Sequence, residues 1–272
     1  MAARPEEGDG DGLLDSIEDA SFDPTQPGQA EETPRWWGNH LGEFRWQAEL
    51  ARLLIDPVYR GTGIPRGDGS PVMTIPGFLA GDGSLGVMRD WLRRMGYDAR
   101  ASGIQVNVDC SNRAVDRLDD RLERIWRTTG RKVALIGHSR GAHFAKALGH
   151  RRPDRVSGVI SLGAGLDTPF DISVPTKGMI AAVRSVHHAT DESMRTSGCF
   201  TEECSCPYTR DYAGEFPASV PLTSIYSRGD GVVRWRACIV PYADCVEVSG
   251  SHVGLAFNRK AYRAIGAALA AR

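Results

Sequence analysis

The sequence predicts an α/β fold, a mostly parallel sheet of about six strands with helices on both faces. Three observations predict it. From about residue 71 to residue 162, short apolar runs of strand length alternate with segments whose apolar residues recur three and four apart. The stretch Lys132 to Leu148 reads apolar strand, Gly-His-Ser-Arg-Gly, apolar-faced helix, with room only for a sharp turn between them. After an interruption between Asp167 and Pro221, two more strands and a C-terminal helix resume the pattern.

Taken in order, residues 1–34 are acidic, rich in Gly and Pro and poor in large apolar side chains, so they are expected to be a disordered tail. Order is expected from Trp36-Trp37 onward, in a domain of residues 35–272. Leu41, Phe44, Ala48, Ala51, Leu54 and Ile55 recur at helical spacing until Pro57 stops the run. Pro71 to Ile75 is the first convincing strand, and a loop of small residues, Pro76 to Gly83, follows it. Leu85, Met88, Trp91, Leu92 and Met95 form the face of a helix closed by Gly96. A second strand lies within Tyr97 to Ile104, then a helix from about Arg113 to Trp126 with Val115, Leu118, Leu122 and Ile125 on one side. Val156 to Leu162 is the fourth strand, Leu222 to Tyr226 the fifth and Val246 to Val248 the last, with a final helix over Arg259 to Ala270.

Residues 167–221 are too long for a plain connection between two sheet strands and read as a cap or lid insertion. Its helical candidate runs from Gly178 to His188. Met179, Ile180, Val183 and Val186 would give that helix an apolar face, turned either to a greasy substrate or simply onto the body.

Composition excludes several classes. A formal net charge of -1 gives no basis for a nucleic-acid partner. No apolar run has the length of a membrane span, and the opening MAARPEEGDGDG lacks an apolar signal segment, so a cytoplasmic protein is expected. Six cysteines leave an extracytoplasmic location open.

The chemistry centres on Gly137 to Gly141. A serine on a strand-to-helix turn, flanked by glycines that avoid collision with neighbouring elements, has the context of a nucleophile elbow. Acyl transfer then needs a base, a group to orient it, and oxyanion donors. His252 follows the last strand in a Gly- and Ser-rich loop and is the preferred base among seven histidines. Asp230, in the turn Gly229-Asp230-Gly231 past the fifth strand, is the preferred acid, with Asp167 its rival. The chain order Ser139, Asp230, His252 is the one expected of an elbow-type hydrolase. Oxyanion donors are expected to be the backbone N–H groups of Arg140 and Phe78. The same residues would serve an acyltransferase or thioesterase, and the same fold could serve as a non-catalytic ligand-binding module.

Cys238 and Cys245 bracket a short loop between Asp230 and His252 and are a candidate disulfide. Cys199, Cys204 and Cys206 cluster in the insertion, while Cys110 has no evident partner. The spacing C-x4-C-x-C matches no common zinc pattern and lacks a fourth ligand, so no metal is expected.

Together, Pro76-Gly77-Phe78, Gly137 to Gly141, Gly229-Asp230-Gly231 and Ser251-His252-Val253-Gly254 resemble the α/β-hydrolase superfamily, over about residues 65 to 270. Within it the chain is similar to lipase-like serine hydrolases that lack the first sheet strands. The stretches PRGDGSPVMTIPGFLAGDGSLGVMRDWLRRMGY and SIYSRGDGVVRWRACIVP resemble uncharacterised actinobacterial members often labelled lipases. The resemblance implies hydrolysis of a small-molecule ester or lipid-like acyl substrate by Ser139, Asp230 and His252, with no cofactor. One departure is Pro76-Gly77, where many lipases carry His-Gly in the oxyanion loop.

Overall fold

A computed structural model describes residues 42–272 apart from Ser197. The expected tail and the Trp36-Trp37 pair lie outside the described residues. Six strands form one sheet: β1 (Pro71–Ile75), β2 (Asp98–Ala101), β3 (Val133–His138), β4 (Val156–Leu162), β5 (Leu222–Tyr226) and β6 (Asp244–Glu247). Their order is β2-β1-β3-β4-β5-β6, and every neighbouring pair is parallel. Parallel strands need crossovers, and helices supply them: α2 (Gly86–Arg94), α3 (Ser111–Thr129) and α4 (Arg140–Arg151) join the first four.

The four inner strands, β1, β3, β4 and β5, read as largely apolar runs because both faces are covered. Along β3, Val133 and Leu135 enter one core with Val115, Leu118 and Leu122 of α3 and Phe144 and Leu148 of α4. Ala134 and Ile136, on the opposite face, enter a second core with Met88, Trp91 and Leu92 of α2 and Tyr262 and Ile265 of α8 (Arg259–Ala270). This two-residue alternation divides the layers. Trp91 is completely buried in its core and still satisfies its indole, whose Nε1–H donates to the Val58 carbonyl at 2.9 Å.

The last strand begins two residues earlier than the sequence places it, at Asp244, because β6 is an edge strand with no fully buried residue. Apolar run length marks buried strands and misses an edge. The first helix, α1 (Trp46–Ile55), is preceded by a 3-10 turn over residues 42–45. Between β4 and β5 lie α5 (Val174–Thr190), α6 (Glu192–Thr196) and α7 (Pro207–Ala213). Here α7 is anchored on α4: Tyr208 meets Phe144 edge-on, and the Tyr212 hydroxyl donates to Gly165 O at 2.6 Å. Of the apolar face expected on α5, Ile180 borders a cavity beside Ser139, whereas Met179 and Val186 are exposed. No helix among the described residues is long and apolar enough to cross a membrane.

Candidate active site

Ser139 stands between β3 and α4 with φ 51° and ψ −126°, a conformation non-glycine residues rarely adopt. The flanking glycines make that turn feasible. A Cβ on Gly137 would lie 2.3 Å from Ala142 Cα, and one on Gly141 would lie 2.2 Å from the Ile75 carbonyl. Side chains at either position would therefore drive α4 away from the sheet. The Ser139 N–H is fixed by the Leu162 carbonyl of β4 at 2.8 Å, so the turn is tied to the next strand as well.

His252 and Asp230 meet in a buried pair, with Nδ1 2.7 Å from Asp230 Oδ2. The other carboxylate oxygen, Oδ1, accepts from the N–H groups of Val232 and Val233 at 2.8 Å each. Asp230 is thus anchored by its own loop and presents a single oxygen to the imidazole. Burial opposes a charge on His252, but the Asp230 charge and hydrogen bond, with the Glu43 charge, outweigh it and raise its pKa above the ordinary value. Ser139 and His252 line a common cavity of about 310 Å³. Asp167, the rival acid, is engaged elsewhere: its Oδ1 accepts from Lys146 Nζ at 3.0 Å and from the Tyr242 hydroxyl.

Three further carboxylate or imidazole groups carry no sequence signal. Glu43 accepts from the N–H groups of Gly231 (3.0 Å), His252 (2.9 Å) and Val253 (3.0 Å), so one side chain spans both loops. Glu49 of α1 accepts from the Ser251 N–H and hydroxyl at 3.0 and 2.7 Å. His138, the residue before Ser139, donates through Nε2 to the His252 carbonyl at 2.9 Å. Desolvation lowers His138 to about 4, which keeps it neutral and leaves it a single ring N–H for that bond.

On the opposite side of Ser139, Arg140 opens α4, so its N–H is one of the first-turn donors that a helix leaves unused. Among the described residues nothing accepts from the Phe78 N–H either. The Arg140 guanidinium donates to Asn107 Oδ1 (2.9 Å), Asp109 O (2.7 Å) and Ser111 Oγ (3.1 Å), a structural use built on neutral acceptors. Asn107 in turn donates to Pro76 O at 2.8 Å, and its carbonyl accepts from Leu79 N–H at 3.2 Å. A loop after β2 therefore supports both sides of the turn that carries Phe78. A second cavity, about 450 Å³, opens between Ser139 and the insertion and is walled largely by Phe78, Phe170, Ile172, Phe200, Tyr208 and Val233.

The cysteines depart from expectation. Cys238 and Cys245 form no disulfide. Each thiol turns to carbonyls of its own segment, Cys238 Sγ to Arg234 O at 4.0 Å and Cys245 Sγ to Ala243 O at 3.6 Å. Cys110, which sequence left without a partner, lies 3.1 Å from Cys199 and 4.0 Å from Cys206, sulfur to sulfur.

Comparison with known proteins gives a likeness of architecture. No family model matches the chain, and no curated protein matches its sequence. Among solved structures, the mature Bacillus licheniformis lipase aligns with a TM-score of 0.51 at 15% identity, covering 76% of this chain and 94% of its own. The Paleococcus ferrophilus monoacylglycerol lipase aligns with a TM-score of 0.51 at 15% identity, over 75% and 96% of the two chains. The narrower likeness to actinobacterial members finds no support among these matches. At such identity the similarity is one of fold, and it agrees with the six-stranded parallel sheet and the turn at Ser139: the chain is an α/β-hydrolase-fold protein.

Proposed function

We propose that the protein is a serine hydrolase of carboxylic esters, with Ser139 as nucleophile, His252 as base and Asp230 as the group that orients the base. The carrying observation is the buried Asp230–His252 pair bordering the same cavity as a serine held at positive φ. With Nδ1–H donated to Asp230, His252 keeps Nε2 unprotonated and able to accept. In the first half-reaction Ser139 Oγ attacks the ester carbonyl carbon as its proton passes to Nε2. The N–H groups of Phe78 and Arg140 receive the oxyanion. Collapse breaks the ester C–O bond, and the alcohol departs with the proton from Nε2. Water then repeats the sequence on the acyl-enzyme and frees the acid. Residues 167–221 act as a cap, and its apolar cavity favours an acyl chain over a charged group. Solved neighbours that are lipases support this reading by fold.

The test is release of p-nitrophenol from esters running from acetate to palmitate, by wild type and Ser139→Ala in parallel. Turnover confined to the wild type is expected, with a preferred chain length set by the cavity. Equal inertness of both across the series would sink ester hydrolysis and leave acyl transfer or ligand binding to be tried.

A further inference from the structure

We propose that Cys110, Cys199, Cys204 and Cys206 form a structural zinc site that fastens the insertion to the body beside Ser139. Three sulfurs, from residues 110, 199 and 206, already lie together, at 3.1, 3.4 and 4.0 Å. Zinc–thiolate bonds of about 2.3 Å in a tetrahedron place sulfurs about 3.8 Å apart. The observed spacings bracket that value, two shorter and one longer. A disulfide would use two of the sulfurs and leave the third against the bond, whereas one ion uses all of them. Cys204 packs on the same cluster beside Cys206 and completes the set by turning toward the other three. Sequence spacing pointed away from zinc because the donors in the insertion were one short. The tertiary structure brings the missing donor from 89 residues upstream of Cys199.

The surroundings suit anionic sulfur. Cys110 directly precedes α3, so its thiol sits at the positive end of a nineteen-residue helix. The Arg140 guanidinium, held by Asp109 O and Ser111 Oγ on either side of Cys110, adds a positive charge nearby. The segment also needs a fastening. Its core amounts to Met194, Cys199 and Cys110 with the half-buried Phe200, too little apolar surface to order irregular chain by burial alone. Binding forms four Zn–S bonds and sends the thiol protons to solvent; no oxidant is involved.

The site bears on the cavity through Phe200. This residue follows Cys199, takes φ 65°, and sets its ring 4.6 Å from the Arg140 guanidinium and 6.4 Å from the Phe78 ring. His187 of α5 also stacks on the Phe200 ring and donates to Val108 O at 2.7 Å. Holding Cys199 therefore holds one wall of the cavity and braces the turn that carries Phe78. The assignment stands apart from the ester-hydrolase reading, since metal content is measured without turnover.

The test is elemental analysis of the full-length protein, purified without an affinity metal or chelator. One zinc per chain is expected, released in step with titration of the thiols by p-hydroxymercuribenzoate. Replacement by cobalt(II) should give the intense visible bands and sulfur charge-transfer absorption of a tetrahedral thiolate site. Cys199→Ser should lose the metal and Cys245→Ser should keep it. If Cys199→Ser fails to fold, the cobalt spectrum and mercurial release of the wild type still decide. A metal-free chain with a mapped Cys110–Cys199 disulfide, a metal-free chain with all four thiols open to alkylation, or zinc retained by folded Cys199→Ser would each overturn the proposal.

Discussion

The two sides of Ser139 are built differently. On one side, the loops bearing Asp230 and His252 are held through their backbones, by Glu43, Glu49 and the neutral His138. On the other, the insertion meets the site through rings and sulfurs, with Phe200 between Phe78 and Arg140 and three thiols gathered behind it. Backbone hydrogen bonds to a carboxylate fix position within a few tenths of an ångström and are short-ranged and directional. Ring contacts tolerate sliding. The difference teaches that, on the proposed mechanism, proton transfer, which fails when donor and acceptor part, falls on the side held by directional hydrogen bonds. The acyl chain of the proposed substrate meets the side walled by rings, which accommodate varied apolar shapes.

The largest effects are expected at the proposed catalytic groups. Ser139→Ala should reduce ester turnover by about 10⁴-fold or more while leaving the thermal midpoint nearly unchanged, since a half-buried hydroxyl is all that is lost. Asp230→Asn should cost about 10⁴-fold by the same assay, because an amide favours the wrong imidazole tautomer.

The backbone clamp comes next. Glu43→Gln removes a charge that spans both loops, and we expect kcat to fall about tenfold, about 1.4 kcal/mol, with KM little changed. Its pH profile carries a sign. Glu43 helps raise the His252 pKa, and the base must be neutral, so losing that charge should move the acid limb of kcat/KM to lower pH. An unmoved limb would reduce Glu43 to a purely structural contact. Linkage gives a companion check on the pair. Because His252 is raised in the folded state, the stability it contributes is full below its ordinary 6.5 and fades as pH climbs through the raised value. Wild type should lose that increment over this window in urea titrations, and His252→Gln should not.

Smaller effects belong to the insertion. Phe200→Ala should raise KM several-fold for long acyl esters with kcat less affected, the reverse of the Glu43 pattern. If kcat fell instead, the ring would be bracing Phe78 more than walling the cavity. Val186→Ser, on the exposed face of α5, should alter stability by no more than about 0.5 kcal/mol and leave KM for short esters unchanged. A marked rise in KM for palmitate alone would show that this face meets long substrates.

By itself, the sequence determined the parallel sheet, because strands buried on both faces must be apolar throughout and helices must repeat their apolar residues at 3.6. It also determined the turn at Ser139, whose glycines answer contacts only a strand-to-helix reversal creates. Asp230 and His252 were legible for a similar reason: strand ends deliver residues to one edge of a parallel sheet, so position along the chain stands in for position in space. What the tertiary structure decided are the pairings that no spacing encodes. Glu43 reaching His252 across 209 residues and Arg140 closing on Asn107 are contacts between elements adjacent only after the sheet has assembled. So is Cys110 joining the thiols of the insertion. Periodicity reports which face of an element is buried. It is silent on which element buries it, and that silence covers Glu43, Glu49, Asn107 and the sulfur cluster alike.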